Sequence, residues 1–230
     1  MTFPNPLTEA STRRIDMSRK DERLIKTIAV LISILETRDE NLSGHSLHIE
    51  KLADAFFEVL PLRYHFKVKR NNLRLAALLH DIGQSCVPSD TLGKAGKLTP
   101  SEKERIKQHP DASVSLLECM SGYDKILEGV KYHHERMDGR GYYGLKGHEI
   151  PLIARILAIL DTFSAVTVLR TYKPTRTYED GISTLKLGSG SQFDEELVDI
   201  FLSIPRSRVM ECFSEVEDNI KSLEDKGIIL

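Results

Sequence analysis

The chain of 230 residues is long enough for one large domain. Its 32 Lys and Arg against 34 Asp and Glu give a net charge of −2, so nothing global draws it to a nucleic acid polymer or an anionic membrane. Apolar residues at 40% and charged residues at 29% exclude wholesale disorder. The cysteines, Cys86, Cys119 and Cys212, are dispersed and offer neither a CxxC pair nor a disulfide framework. The longest apolar stretch, around Ile28 to Leu35, is too short to span a bilayer and is broken by Ser33. The N-terminus lacks the apolar core of a signal peptide, so a cytoplasmic protein is expected.

Residues 1–20 mix Pro, Thr, Ser and Arg without periodicity and are expected to form a flexible arm. From Asp21 the pattern is helical, with Leu24, Ile28, Leu31, Ile32 and Leu35 as one stripe. His45, Ile49, Leu52, Ala53, Phe56 and Leu60 form a second, interrupted by Pro61. Leu73, Ala76, Ala77 and His80 form a third, closed by Gly83. Thr99-Pro100-Ser101-Glu102 reads as a capping box with proline at the first helical position. Ile126, Val130, His133 and His134 share one side of a further predicted helix. A glycine-dense loop, Asp138 to Gly147, follows. Pro151 then opens a long helix carrying Ile153, Ile156, Leu157 and Leu160; Asp194 caps another; residues 207–227 offer a last, highly charged one. No segment alternates as a strand would, so the expected class is all-α.

The histidines carry the chemistry. His80 continues an apolar stripe where a leucine would serve, and Asp81 follows at once. His133 and His134 continue another. Asp161 lies inside an apolar helix with no basic residue three or four positions away. Taken singly, each reads best as a hydrogen-bonded core residue; taken in order, with His45 and His109, they read as a set. Buried imidazoles and carboxylates need partners, and imidazole nitrogen with carboxylate oxygen suits iron, manganese, nickel or zinc.

The motifs resemble those of the HD-GYP phosphodiesterases of the HD superfamily from about Ile25 to Phe201. The matching segments are LETRDENLSGHS, with Glu36, Arg38, Asp39, Gly44 and His45; LAALLHDIG, with His80 and Asp81; the segment from Val87 to His109; HHERMDGRGY, with His133, His134, Asp138, Gly139, Gly141 and Tyr142; and IPLIARILAILDTFSAV, with Asp161. The resemblance implies an HD-superfamily helical bundle enclosing a multinuclear metal site, and hydrolysis of cyclic di-GMP or a related cyclic dinucleotide. It implies two divalent ions, iron or manganese. His45, His80, Asp81 and Asp161 would hold one ion. His109, His133 and His134 would hold the other, with Asp81 bridging. A bridging hydroxide between two cations would be the nucleophile. Gly141 and Tyr142 of the loop, with Arg170 and Lys173, would contact substrate.

Four positions depart from the family pattern. Gln84 stands where a lysine is common; with His80 and Asp81 it completes the expected catalytic group, without the charge of that lysine. Tyr143 replaces a proline, Ser164 an aspartate, and Asn41 the glutamate of members with a third metal. Two readings follow: an active phosphodiesterase, or a degenerate binding module that keeps its metals and turns over little. The expected division is an arm over 1–20, a catalytic domain over 21–205 and a C-terminal helical extension over 206–230. A regulatory protein partner or a homodimer would supply control.

Overall fold

The computed structural model describes residues 6–36, 44–92, 94, 96–120, 122–167 and 177–228, with side chains from residue 19 onward. Among them there is no β-strand; an isolated bridge joins Ser189 and Phe193. Asn41, Arg38, Asp39, Arg170 and Lys173 lie outside the described residues.

The first helix, α1, runs from Pro6 to Glu36. Residues 6–20, expected as an arm, are therefore helical. Pro6 suits a first helical position, and neither glycine nor proline interrupts the run that follows. The buried face of α1 is Ile25, Ile28 and Ile32, a step of three then four residues. The expected stripe mixed two adjacent faces, since Leu24, Leu31 and Leu35 remain 46%, 56% and 40% exposed.

Helix α2, His45–Val59, is the central element. Ile49, Leu52, Ala53, Ala55 and Phe56 are fully buried, and α1, α4, α9 and α12 all pack on it. Gly44 precedes it at φ 74°; a Cβ there would also lie 2.8 Å from Ile220 Cδ1. After α3 (Leu62–His65), helix α4 (Arg70–Leu79) buries Leu73, Ala76 and Ala77 against α2. Its C-cap is His80, and Asp81 leads into a 3-10 turn over Ile82–Cys86. Gly83 lets that turn meet α7 (His109–Glu118), because a Cβ would stand 2.2 Å from the His109 carbonyl oxygen.

Between them lie α5 (Ser89–Leu92) and α6 (Pro100–Ile106). Thr99 and Glu102 make the expected reciprocal cap on α6. Helix α8 is short, Leu127–Lys131, so His133 and His134 sit in the turn beyond it rather than on a helix. Helix α9, Leu152–Thr167, carries Asp161 through the core, and α10, Tyr178–Gly188, packs along it. Asp194 caps α11 (Glu195–Leu202) by accepting from the Glu196 and Leu197 amides, as expected. Helix α12, Arg206–Asp225, lies against α2 and adds Val209 and Cys212 to the core. No helix among the described residues is long and apolar enough to cross a membrane.

Candidate metal centre

Five chain segments converge on one cluster: the start of α2, the end of α4, the start of α7, the turn after α8 and the middle of α9. One ligand atom from each of Asp81, His109, His133 and His134 lies within 4.8 Å of the others. The same holds for His45, His80 and Asp81. Asp81 belongs to both groups. Its Oδ1 is 2.9 Å from His109 Nε2 and 3.6 Å from His133 Nε2; its Oδ2 is 3.2 Å from His80 Nε2. Asp161 Oδ1 is 3.1 Å from His45 Nε2. All seven residues expected as metal ligands are therefore brought together.

The backbone fixes how the imidazoles face. His80 Nδ1 meets the Ala77 carbonyl at 2.9 Å, His109 Nδ1 that of Ile106 at 2.7 Å, and His133 Nδ1 that of Val130 at 2.6 Å. A carbonyl can only accept, so each Nδ1 carries a proton and donates it. In each neutral ring Nε2 is then a lone pair, and these lone pairs converge. His109 Nε2 stands 3.4 Å from His133 Nε2 and 3.2 Å from His134 Nε2. His80 Nε2 and Asp81 Oδ1 are buried without a hydrogen bond. Facing lone pairs with no proton between them repel, whereas a cation satisfies them together, with Nδ1 held as a metal-binding histidine requires. The residues present fit a divalent metal site.

Electrostatics agree. Burial would raise the Asp81 carboxyl, but the charge of His80 beside it holds it well below the usual range. Burial also opposes ionisation of Asp161, and His45 and the neighbouring imidazoles overcome it. His80 resists burial through Asp81 and rises to about 9. Burial, and then His133, pushes His134 down to about 3. A metal ion would displace the proton that Asp81 favours on His80. The carboxylate side chains keep 13% (Asp81) and 19% (Asp161) of their surface accessible, so the cluster opens on their side.

The residues around the cluster hold it in place. Gln84 donates from Nε2 to Asp81 Oδ2 at 2.6 Å, so its amide is turned to the shared carboxylate. Sequence reasoning did not assign a role to His48, a fully buried neighbour of His45. Its Nδ1 is 2.9 Å from Ser164 Oγ, which is also 3.1 Å from His45 Nδ1. Burial lowers His48 to about 3, so it is neutral. Its place three residues after His45 on an apolar helix was the available signal. Glu36 closes the α2 end by accepting from the Ser46 amide at 2.9 Å.

The loop lies beside this cluster. The Tyr142 ring is 4.7 Å from that of His134 and is 40% exposed, with Lys107 Nζ 5.8 Å from its centroid. Buried Glu135 anchors the loop, accepting from the Tyr143 amide at 2.6 Å. Gly139 and Gly144 adopt φ of 77° and 82°, which glycine permits. Gly141 does not. Its need for hydrogen comes from Glu135, whose Cα and Oε1 would each lie 2.6 Å from a Cβ. Gly141→Ala should push the loop outward, at about 1–3 kcal/mol of local strain. Thermal melting should register that cost, and the binding constant for cyclic di-GMP should weaken as Tyr142 leaves His134. A variant with native melting and native binding would show that the loop absorbs the methyl group.

Comparison with known proteins places these residues in context. Residues 29–197 match the family model described as the HD domain. A protein of Vibrio cholerae serotype O1 named as a probable cyclic di-GMP phosphodiesterase is 33% identical over 85% of this chain and 47% of its own length. The cyclic di-GMP phosphodiesterase response regulator RpfG of Xanthomonas campestris pv. campestris is 34% identical over 81% of this chain and 49% of its own. The chain thus spans about half the length of these curated relatives. Among solved structures, Bd1817, an HDG"Y"P protein from Bdellovibrio bacteriovorus, superposes with a TM-score of 0.56 at 16% identity, covering 71% of this chain and 52% of that one. That likeness is one of all-α fold.

Proposed function

The chain belongs to the HD-GYP family of HD-domain proteins, and from that premise we propose that it is a metal-dependent phosphodiesterase acting on cyclic di-GMP or a related cyclic dinucleotide. The observation that carries this reading is the pair of ligand groups sharing Asp81. His45, His80, Asp81 and Asp161 would hold one divalent ion, and His109, His133, His134 and Asp81 a second. Iron or manganese suits this nitrogen and oxygen set. Such a pair supplies Lewis acidity at the phosphate and an activated water.

The protein's own groups do the positioning. Asp81 offers one oxygen to each group, and Gln84 orients it. His80 and Asp81 line the reacting space. Tyr142, at the rim beside His134, offers a ring and a hydroxyl to the ligand. Arg170 and Lys173 would contact phosphate, and Gly141 keeps the loop close. With Asn41 in place of a carboxylate, the site would take two ions rather than three.

The catalytic unit is assigned to 21–205, with 206–230 as a C-terminal extension whose helix α12 packs on α2. The cytoplasm is the assigned compartment, where the three free thiols stay reduced. Control by a homodimer or a regulatory protein belongs to the same proposal.

The second reading, a binding module with little turnover, draws on Gln84, which brings no cation to the phosphate. The deciding experiment incubates the manganese- or iron-loaded chain with cyclic di-GMP, 3'3'-cGAMP and cyclic di-AMP and resolves the products. A linear dinucleotide or mononucleotides from at least one of them is expected. Binding without product supports the module, and neither binding nor product defeats both readings.

A further inference from the structure

We propose that Ser164 and His48 form a hydroxyl–imidazole relay that accepts the Nδ1 proton of His45 and so leaves the His45 Nε2 lone pair to a metal ion. Both are positioning residues, and the inference rests on the metal reading given above.

The proton count leads to it. Ser164 Oγ has one proton and two imidazole neighbours, His45 Nδ1 at 3.1 Å and His48 Nδ1 at 2.9 Å. For His45 to offer Nε2 to a cation, Nδ1 must carry the proton and donate it to Ser164. The serine proton is then free for His48 Nδ1, which accepts it. His48 keeps its own proton on Nε2, a buried atom without a partner. In the opposite arrangement both imidazoles donate to Ser164. The serine proton and the His48 Nε2 lone pair are then both left over. Once an ion takes the His45 Nε2 lone pair, which would otherwise face Asp161 Oδ1 at 3.1 Å, the relay leaves one orphan where this alternative for His48 leaves two, and each buried orphan costs about 1–3 kcal/mol.

The setting supports a role beyond filling space. His48 is 1% exposed, and its ring centroid lies 4.2 Å from that of Phe213 on α12, the two rings tilted at 39°. An apolar side chain would pack against that ring without any orphan. Ser164 is fully buried, one turn beyond Asp161 on α9, so one helix presents both groups that flank His45. The relay is neutral along its length. It would orient His45 without adding a negative charge behind it.

The test uses the full chain loaded with zinc, a diamagnetic ion for the same ligands. Long-range nitrogen–proton spectra of the histidine rings should show His45 protonated at Nδ1 and His48 at Nε2. Zinc affinities from competition with a chromophoric chelator should fall about 10–100-fold at one of two sites in Ser164→Ala, the usual effect of losing such a partner. Ser164→Thr, which keeps the hydroxyl, should restore the affinity. His48→Leu should weaken the same site less. His48 found protonated at Nδ1, or Ser164→Ala binding both ions with native affinity, would overturn the relay while leaving the metal reading intact. A native chain that binds no zinc, manganese or iron would defeat both. The spectra need no variant, so a misfolded Ser164→Ala does not remove the test.

Discussion

Asp81→Ala is expected to abolish hydrolysis and to release both metal ions. Asp81 is the only residue common to the two ligand groups found among the described residues, with Oδ1 toward His109 and Oδ2 toward His80. Its loss leaves the His109, His133 and His134 group with no carboxylate, leaves Asp161 alone beside His45 and His80, and removes the link that would hold the ions at a fixed distance. Removing one preorganised donor at a reacting centre typically costs about 10²–10³ in rate, and the loss of both ions must exceed that. His134→Ala is expected to be milder, because His134 belongs to one group alone. Elemental analysis beside turnover distinguishes the two variants. Two ions and near-native turnover in Asp81→Ala would remove this residue from the centre of the account.

Stripping the metal should lower the melting temperature by about 10–20 °C. An ion present at about 100 times its dissociation constant stabilises the folded state by about 2.7 kcal/mol, and two give about 5. A chain of this length shifts by about 2–4 °C per kcal/mol. The expected ligands come from five separate segments, so bound ions would tie α2, α4, α7, α9 and the turn after α8 together. Without them, the lone pairs of His109 and His133 are held face to face at 3.4 Å. Calorimetry with and without a strong chelator, followed by reloading, measures the shift. A melting temperature unmoved by chelation would mean that the cluster binds no ion tightly.

Much of this was legible in the sequence because chemistry and periodicity coincide. His80 and Asp161 stand out as polar residues inside apolar patterns, and an apolar pattern can be read one helix at a time. Thr99 with Glu102 and Asp194 announce helix starts by local hydrogen bonding, and both caps form. What the sequence hid depends on partners distant in the chain. Which face of α1 is buried is decided by α2 and α4, and local spacing allowed Leu24 and Leu31 as readily as Ile25 and Ile32. Helix α10 passed unnoticed, although Thr177 and Asp180 form a reciprocal cap of the kind recognised at Thr99. His48 looks like one more α2 residue until Ser164, from α9, is placed between it and His45. Gly141 looks like a concession to ligand, and the contact that requires it is with Glu135 of the same loop.

The most direct measurement is a metal titration followed by rate. The metal-free chain is titrated anaerobically with manganese or iron(II), and the initial rate of cyclic di-GMP cleavage is recorded against ions bound per chain. A two-ion centre bridged by Asp81 predicts little activity at the first equivalent and a plateau at the second. A plateau at one ion per chain, or cleavage that proceeds without metal, would contradict it.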